Sequence, residues 1–459
     1  MAHRPEGHEF GRLLAAEAVS NFGAMLSRLA IPWLAALGLD ATPWQMAALL
    51  LADVAAGAAG SLLLGHWVER HGKRAVMLGC DAGRALVLAA LAWLAWRGAA
   101  SMPLLVAAAA ANGLLTMAFE VARSAWMAQR LAAGDLVHRN AQMSMATSLS
   151  ETAAFALGGW LFQWLGAVAA LALDALSYVA SAWCLRGVGE VRPASPVRDT
   201  AGVGDVATQG SADGVVSSAA MDASWTAGSG APVPMAPGWA AAARAWRREV
   251  GEGLRCIATH PTLRALASIE ALMAVAGSLA GTSHMIYVSR DLAIATGPLG
   301  VIFALGGLGA VVGARLAAGA ARRLGTGPAM TAGLAACALG ALCIPLAQGA
   351  GLVAITLLVA HQVVGDAGHT LFAVHDRTLR QTLVAPGLLA RADAGIRGLG
   401  QAATLAGALA GGALGTVLGA RGVLWASAGV LALAAALAFA RLRGHGLERR
   451  AGPQGEIGA

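Results

Sequence analysis

The sequence predicts an all-α membrane protein of twelve transmembrane helices arranged as two six-helix pseudo-repeats. Three observations predict it. Of 459 residues, 57% are hydrophobic and 12% charged, and mean hydropathy is +0.64; a soluble chain carries about 25% charged residues. Apolar runs of about 20 residues, enough to cross a bilayer, recur twelve times. Positive charge collects in alternate gaps between those runs.

The runs lie near residues 12–37, 44–67, 75–96, 103–128, 142–165 and 167–187, then near 262–289, 297–321, 328–348, 351–376, 394–418 and 420–440. The first is long and lacks a small-residue cleavage site, so it reads as a span and not as a cleaved signal. The gaps after spans 1, 3, 5, 7, 9 and 11 are nearly free of arginine, with Arg97, Arg290 and Arg421 as exceptions. The alternate gaps hold Arg70, Lys73, Arg74, Arg130, Arg139, Arg322, Arg323, Arg377, Arg380 and Arg391. This distribution puts both termini and the central loop on the cytoplasmic side of the inner (plasma) membrane. It also explains the net charge of +7 as topology and argues against nucleic-acid binding.

Residues 190–238 are rich in Gly, Ser, Ala, Pro and Asp and read as a flexible cytoplasmic linker. It separates an N-terminal half, 1–189, from a C-terminal half, 239–459. Trp239 to Ala258 mixes Trp and Arg, as a helix lying on the membrane surface would; an extension of span 7 is the other reading. The five cysteines form no Cys-x-x-Cys pair and no zinc spacing, so no metal or other cofactor is expected.

Two features recur between the halves. Ala156-Leu157-Gly158-Gly159 reaches Leu165-Gly166, as Ala410-Gly411-Gly412-Ala413 reaches Leu418-Gly419. Upstream, Leu136-Val137-His138-Arg139-Asn140-Ala141 echoes Leu389-Ala390-Arg391-Ala392-Asp393-Ala394. Duplicated six-helix halves predict such echoes.

Between spans 2 and 3 stands Gly65-His66-Trp67-Val68-Glu69-Arg70-His71-Gly72-Lys73-Arg74. Its glycine, acid and basic cluster resemble the loop between helices 2 and 3 of the major facilitator superfamily, with Glu69 where that family usually has Asp. Other stretches resemble the drug:proton antiporter branch, which includes macrolide-efflux-like and enterobactin-exporter-like proteins. These are Ser20-Asn21-Phe22-Gly23, Asp174-Ala175-Leu176-Ser177-Tyr178, Gly253-Leu254 through His260-Pro261-Thr262-Leu263-Arg264, and Leu379-Arg380-Gln381 with Pro386 and Arg391. The resemblance covers nearly the whole chain outside the linker. Departures are Ala24 for an expected Asp, Ala154-Phe155 for a helix-5 Gly-Pro, and a second loop reduced to Arg322-Arg323-Leu324-Gly325.

The resemblance implies that helices 1, 4, 7 and 10 line a central cavity. It implies that the loop acid, Glu69, faces the start of helix 11, whose dipole favours negative charge. It further implies that Lys73 pairs with Glu120, one turn from Arg123. Gly65, Arg70, Gly72 and Arg74 complete this gate, which would hold the outward-open state.

No catalytic or nucleotide motif is present, so the chain reads as a transporter driven by an ion gradient and not as an enzyme. Ionisable groups inside a membrane are costly and mark pathways by default. Asp53 sits mid-span among Leu and Ala. Glu17, Asn21 and Arg28 fall within about 40° on a helical wheel. These, with Glu270, are the proton-coupling candidates. Cavity candidates are Asn21, Asn112, Thr116, His284, His361, Asp366 and His369. Close helix packing through glycine, with each histidine bonded to a neighbour, is the alternative for the residues on spans 7 and 10, Glu270 and His284, and His361, Asp366 and His369. Gly407, Gly411 and Gly415 are expected to permit close helix contact. The expected function is proton-coupled efflux of amphiphilic small molecules, a drug or a siderophore, by a monomer embedded in lipid. Movement of lipid or lysolipid, uptake of a nutrient, and a non-transporting sensor are the alternatives.

Overall fold

A computed structural model of the chain describes residues 5–131, 133–190, 251, 255, 257–384 and 386–443. Nearly all of the expected linker, and most of 239–258, lie outside them. The described residues are helical, without strand. A helix closes every backbone hydrogen bond within itself, which is what lipid demands. The spans are α1 (Pro5–Trp33), α2 (Pro43–Arg70), α3 (Lys73–Trp96) and α4 (Met102–Arg130). One continuous run, Ala133–Leu185, bends at Gly166 (φ 81°) into α5 (133–165) and α6 (167–185). The second series is α7 (Pro261–Ile286), α8 (Thr296–Leu324), α9 (Thr326–Leu346) and α10 (Leu352–Leu383). The run Pro386–Leu442 bends at Gly419 (φ 68°) into α11 (386–418) and α12 (420–442). Only glycine takes that left-handed conformation without strain. Both bends fall where the sequence divides spans 5 from 6 and 11 from 12. Among the described residues, eight continuous helical runs, two of them these bent pairs, are long and apolar enough to cross a membrane. The charge-bearing α1 and α2 complete the twelve.

Corresponding features of the two series recur at an offset of 253 residues, beginning with the bends at Gly166 and Gly419. A five-residue π-turn ends α1 at Leu34–Gly38, and another ends α7 at Tyr287–Asp291. Each is followed by a left-handed non-glycine residue, Asp40 (φ 49°) or Ala293 (φ 52°). The bonds closing the turns correspond too: Leu39 N–H to Leu34 O and Leu292 N–H to Tyr287 O, at 3.1 and 2.9 Å.

The first six helices pack mainly among themselves, as do the last six; α2 with α11 and α7, and α5 with α8, make the main joins. These joins lie toward the end of the bundle opposite the termini. There Pro43 starts α2 behind a Thr42–Gln45 capping box, worth about 1 kcal/mol. Trp44 packs on Gly412 and Pro43 on Gly415. Gly159 meets Gly300 so closely that a β-carbon on Gly300 would stand 2.6 Å from Phe155 O. The Phe155 and Phe303 rings meet edge to face at 5.9 Å. Gln163 Oε1 accepts from Gly297 N–H at 2.8 Å. Arg290 donates to Ala36 O and lies 3.4 Å from Asp40. Toward the terminal end, the ion pairs among the described residues join helices of one half only: Arg130–Glu9, Arg123–Glu17 and the Arg380 cluster. The structure is closed opposite the termini and opens toward the terminal end.

Candidate functional site

Asp53 sits ten residues into α2, about 15 Å along its axis. Its side chain is exposed within the bundle and belongs to no ion pair among the described residues. It fits because α4 has a glycine opposite: a β-carbon on Gly113 would stand 2.9 Å from Asp53 Oδ1. The cation close enough to act on Asp53 is Arg28 of α1.

Glu17 is not paired with Arg28. Its carboxylate accepts from the Arg123 guanidinium of α4, and both groups are largely buried. The wheel correctly put Glu17 and Arg28 on one face of α1, but Arg28 stands three turns further along and Arg123 lies across the gap. Asn21 Nδ2 donates to Thr147 O on α5 at 3.2 Å. Asn112 is half-buried, its Oδ1 without a partner among the described residues. Thr116 is half-buried one turn further along α4.

The second half holds a cavity of about 600 Å³ walled by α7, α9, α10, α11 and α12. Near its terminal end, Arg380 of α10 gathers three acids: Asp376 one turn back, Asp393 of α11 at 3.2 Å and Glu270 of α7 at 3.6 Å. Higher up, Asp366 Oδ2 accepts from Gln362 Nε2 at 3.1 Å, and His369 lies near enough to act on its charge. Deeper still, the rings of His284 and His361 stand 6.1 Å apart. His361 Nδ1 bonds to Gly340 O at 3.0 Å, whereas His284 Nε2 is buried without a partner among the described residues. The cavity is lined by Glu270, His284, His361, Asp366 and His369, whereas Asn21, Asn112 and Thr116, on the α1 and α4 that the family resemblance placed around a central cavity, are not part of its wall. The α10 glycines do pack tightly: Gly368 meets Gly333, and Gly365 meets Gly340. Likewise Gly407 and Gly411 of α11 lie against Val275 and Thr282.

The gate differs from expectation in this conformation. The surroundings of Gly65 and the side chains of Glu69 and Arg70 lie outside what is described. Lys73 Nζ is buried and donates to Val68 O at 2.7 Å and His71 O at 3.2 Å. Glu120 is exposed and enters none of the ion pairs among the described residues, so the expected Lys73–Glu120 pair is not formed. Its place is taken by a dock onto α6. Arg74 N–H donates to Glu190 Oε1 at 3.1 Å, and the Arg74 guanidinium donates to Leu185 O and Arg186 O. Gly72 has no side chain to separate it from Glu190.

Three buried charged side chains, Arg84, Asp81 and Asp174, were given no role by the sequence reading, although Asp174 stands in one of its motifs. Arg84 of α3 is buried between the rings of Phe119 and Tyr178, at 4.7 and 4.2 Å, and pairs with Asp81 at 2.5 Å. Ser181 Oγ donates to the other Asp81 oxygen at 2.7 Å. Asp and Arg three apart inside an apolar run were the available signal. Asp174 of α6 is fully buried, with Ser177 Oγ donating to its carboxylate at 3.2 Å. Gly23 of α1 admits both; its β-carbon would stand 2.0 Å from Ser177 Oγ.

The family model described as Major Facilitator Superfamily matches residues 13–374. This chain belongs to the Major Facilitator Superfamily. It is therefore a multi-pass membrane transporter. No curated protein sequence matches it. Among solved structures it is similar to the nucleoside transporter NupG (TM-score 0.67, 13% identity, 94% of this chain and 98% of that one). It is similar to a bacterial homolog of the human lysosomal transporter Spinster, inward-facing and occupied (0.66, 14%, 99% and 100%). It is also similar to a bacterial homologue of the iron transporter ferroportin, inward-facing (0.66, 14%, 95% and 99%). At these identities the likeness is one of fold.

Proposed function

We propose that this superfamily member is a proton-coupled exporter of amphiphilic small molecules, such as drugs or a siderophore, of the drug:proton antiporter branch. It works in the inner (plasma) membrane with both termini cytoplasmic, a placement supported by the arginine distribution. Residues 190–238 form the linker between two halves that rock about the cavity, and the chain functions as a monomer. The end open in this structure is then the cytoplasmic one, where an exporter loads its cargo.

The observation that carries this reading is Asp53: a carboxylate at mid-membrane depth, open to the interior, without an ion pair among the described residues. A carboxylate held by a guanidinium is neutralised already; one left facing the interior takes up and releases a proton as its access changes sides. The mostly apolar wall of Ala, Gly, Met, Ile and Leu suits amphiphilic cargo. Deletion and overexpression across a panel of drugs and metabolites, scored for resistance and cellular retention, tests it. Overexpression of the wild type should lower retention of at least one amphiphile, and Asp53→Asn, inserted at equal level, should not. Equal export by Asp53→Asn removes the assignment.

A further inference from the structure

The 253-residue register exposes an exchange between the halves. Asp53 of α2 corresponds to Gly306 of α8, and Gly113 of α4 corresponds to Asp366 of α10. In the first half the acid stands on the second helix and the glycine on the fourth; in the second half they have changed places. Each carboxylate occupies the room its facing glycine leaves. A β-carbon on Gly113 would stand 2.9 Å from Asp53 Oδ1, and one on Gly306 would stand 2.1 Å from Asp366 Oδ2. The neighbouring approach is conserved as well: Gly60 lies on Leu114, and its counterpart Gly313 lies on Ala367, the counterpart of Leu114. The α2–α4 and α8–α10 crossings are therefore the same joint, and the two carboxylates sit at one level, reached from opposite helices.

Asp366 is not a buried structural acid. It lines the cavity and enters no ion pair among the described residues. The groups facing it are Gln362 and His369 on its own helix and Cys337 on α9, while α8 presents Gly306. Around Asp53, α1 presents Arg28, α4 presents Gly113 and α7 presents Gly281 near Leu50. Neither acid is matched by a bonded cation.

We propose that Asp366, with Gln362 and His369, is a second proton-binding position, the counterpart of Asp53, so that each half of the chain carries one proton. This rests on the reading of Asp53 as the first. While the cavity faces away from the cytoplasm a proton adds to each carboxylate, giving two neutral carboxylic acids, and both protons leave to the cytoplasm when the cavity returns to the state seen here.

The test is infrared difference spectroscopy on the purified full chain in liposomes, between acid and alkaline buffer. It reads protonated carboxyl groups directly and needs no transported cargo. Asp366→Asn should lose one carboxyl component and Asp53→Asn a different one. Asp366→Gly should lose the same component as Asp366→Asn, and Asp366→Gly combined with Gly306→Asp should regain one, because the acid then reaches the same joint from α8. A spectrum of Asp366→Asn superimposable on that of the wild type overturns the proposal, as does a double variant that stays as silent as Asp366→Gly. If Asp53→Asn alone leaves the spectrum unchanged, the reading of Asp53 fails while Asp366 stands as a proton site.

Discussion

Glu17 of α1 is ion-paired with Arg123 of α4, inside the first half and toward the terminal end. Its counterpart at the 253-residue offset, Glu270 of α7, reaches Arg380 of α10. Both pairs bind the first helix of a half to its fourth, so each half can move as a body while the joins between halves break and re-form. Glu17→Gln should cost about 1–3 kcal/mol, since it leaves Arg123 largely buried with a neutral partner. Thermal unfolding in detergent should show the loss, and Arg123→Gln added to Glu17→Gln should cost less than the two single changes summed. Additive losses would mean that the pair contributes nothing by itself.

The closed end depends on Gly159 and Gly300. Gly300→Leu would drive a side chain into Phe155 O and the α5 backbone. It should move the population toward the state open at that end; a bias of about 1.4 kcal/mol changes the ratio tenfold. Reactivity of cysteines placed along α5 and α8 should rise at that end and dye export should fall. Unchanged reactivity would place the closure elsewhere.

Arg84→Met should be among the most destabilising single changes. It strips Asp81 of its cation while leaving it fully buried between α3 and α6. Breaking such a pair from one side costs about 3–5 kcal/mol. Membrane yield and thermal midpoint should both drop, with partial recovery when Asp81→Asn is added.

If Glu69 and Lys73 form the gate of the opposite state that the family resemblance implies, Glu69→Gln and Lys73→Ala should favour the terminal-open state seen here and slow export. Cysteine accessibility at the terminal end checks this; two variants with wild-type accessibility and wild-type transport would contradict it.

Much of the architecture was legible because hydrophobic length and arginine placement are local signals. Even the bends at Gly166 and Gly419 stood out as Leu-Gly breaks between apolar runs. The ion partners were not. A helical wheel reports which residues share a face, as with Glu17 and Arg28, but says nothing of Arg123 across the gap. Family resemblance supplied Lys73–Glu120, a contact that is not formed in this structure, where Lys73 donates to Val68 O and His71 O. Glu190 looked like the start of a low-complexity linker; its role appears only when the chain brings it back to Arg74. The exchange of Asp53–Gly113 for Gly306–Asp366 was written in the sequence, yet it has no meaning until the helices that face each other are known.

The most direct test of proton-coupled export uses the purified chain in liposomes loaded with a hydrophobic dye, with a proton gradient imposed. Wild-type protein should expel the dye, a protonophore should abolish the effect, and Asp53→Asn should match empty liposomes. Expulsion that persists at full rate with the protonophore present would contradict the account.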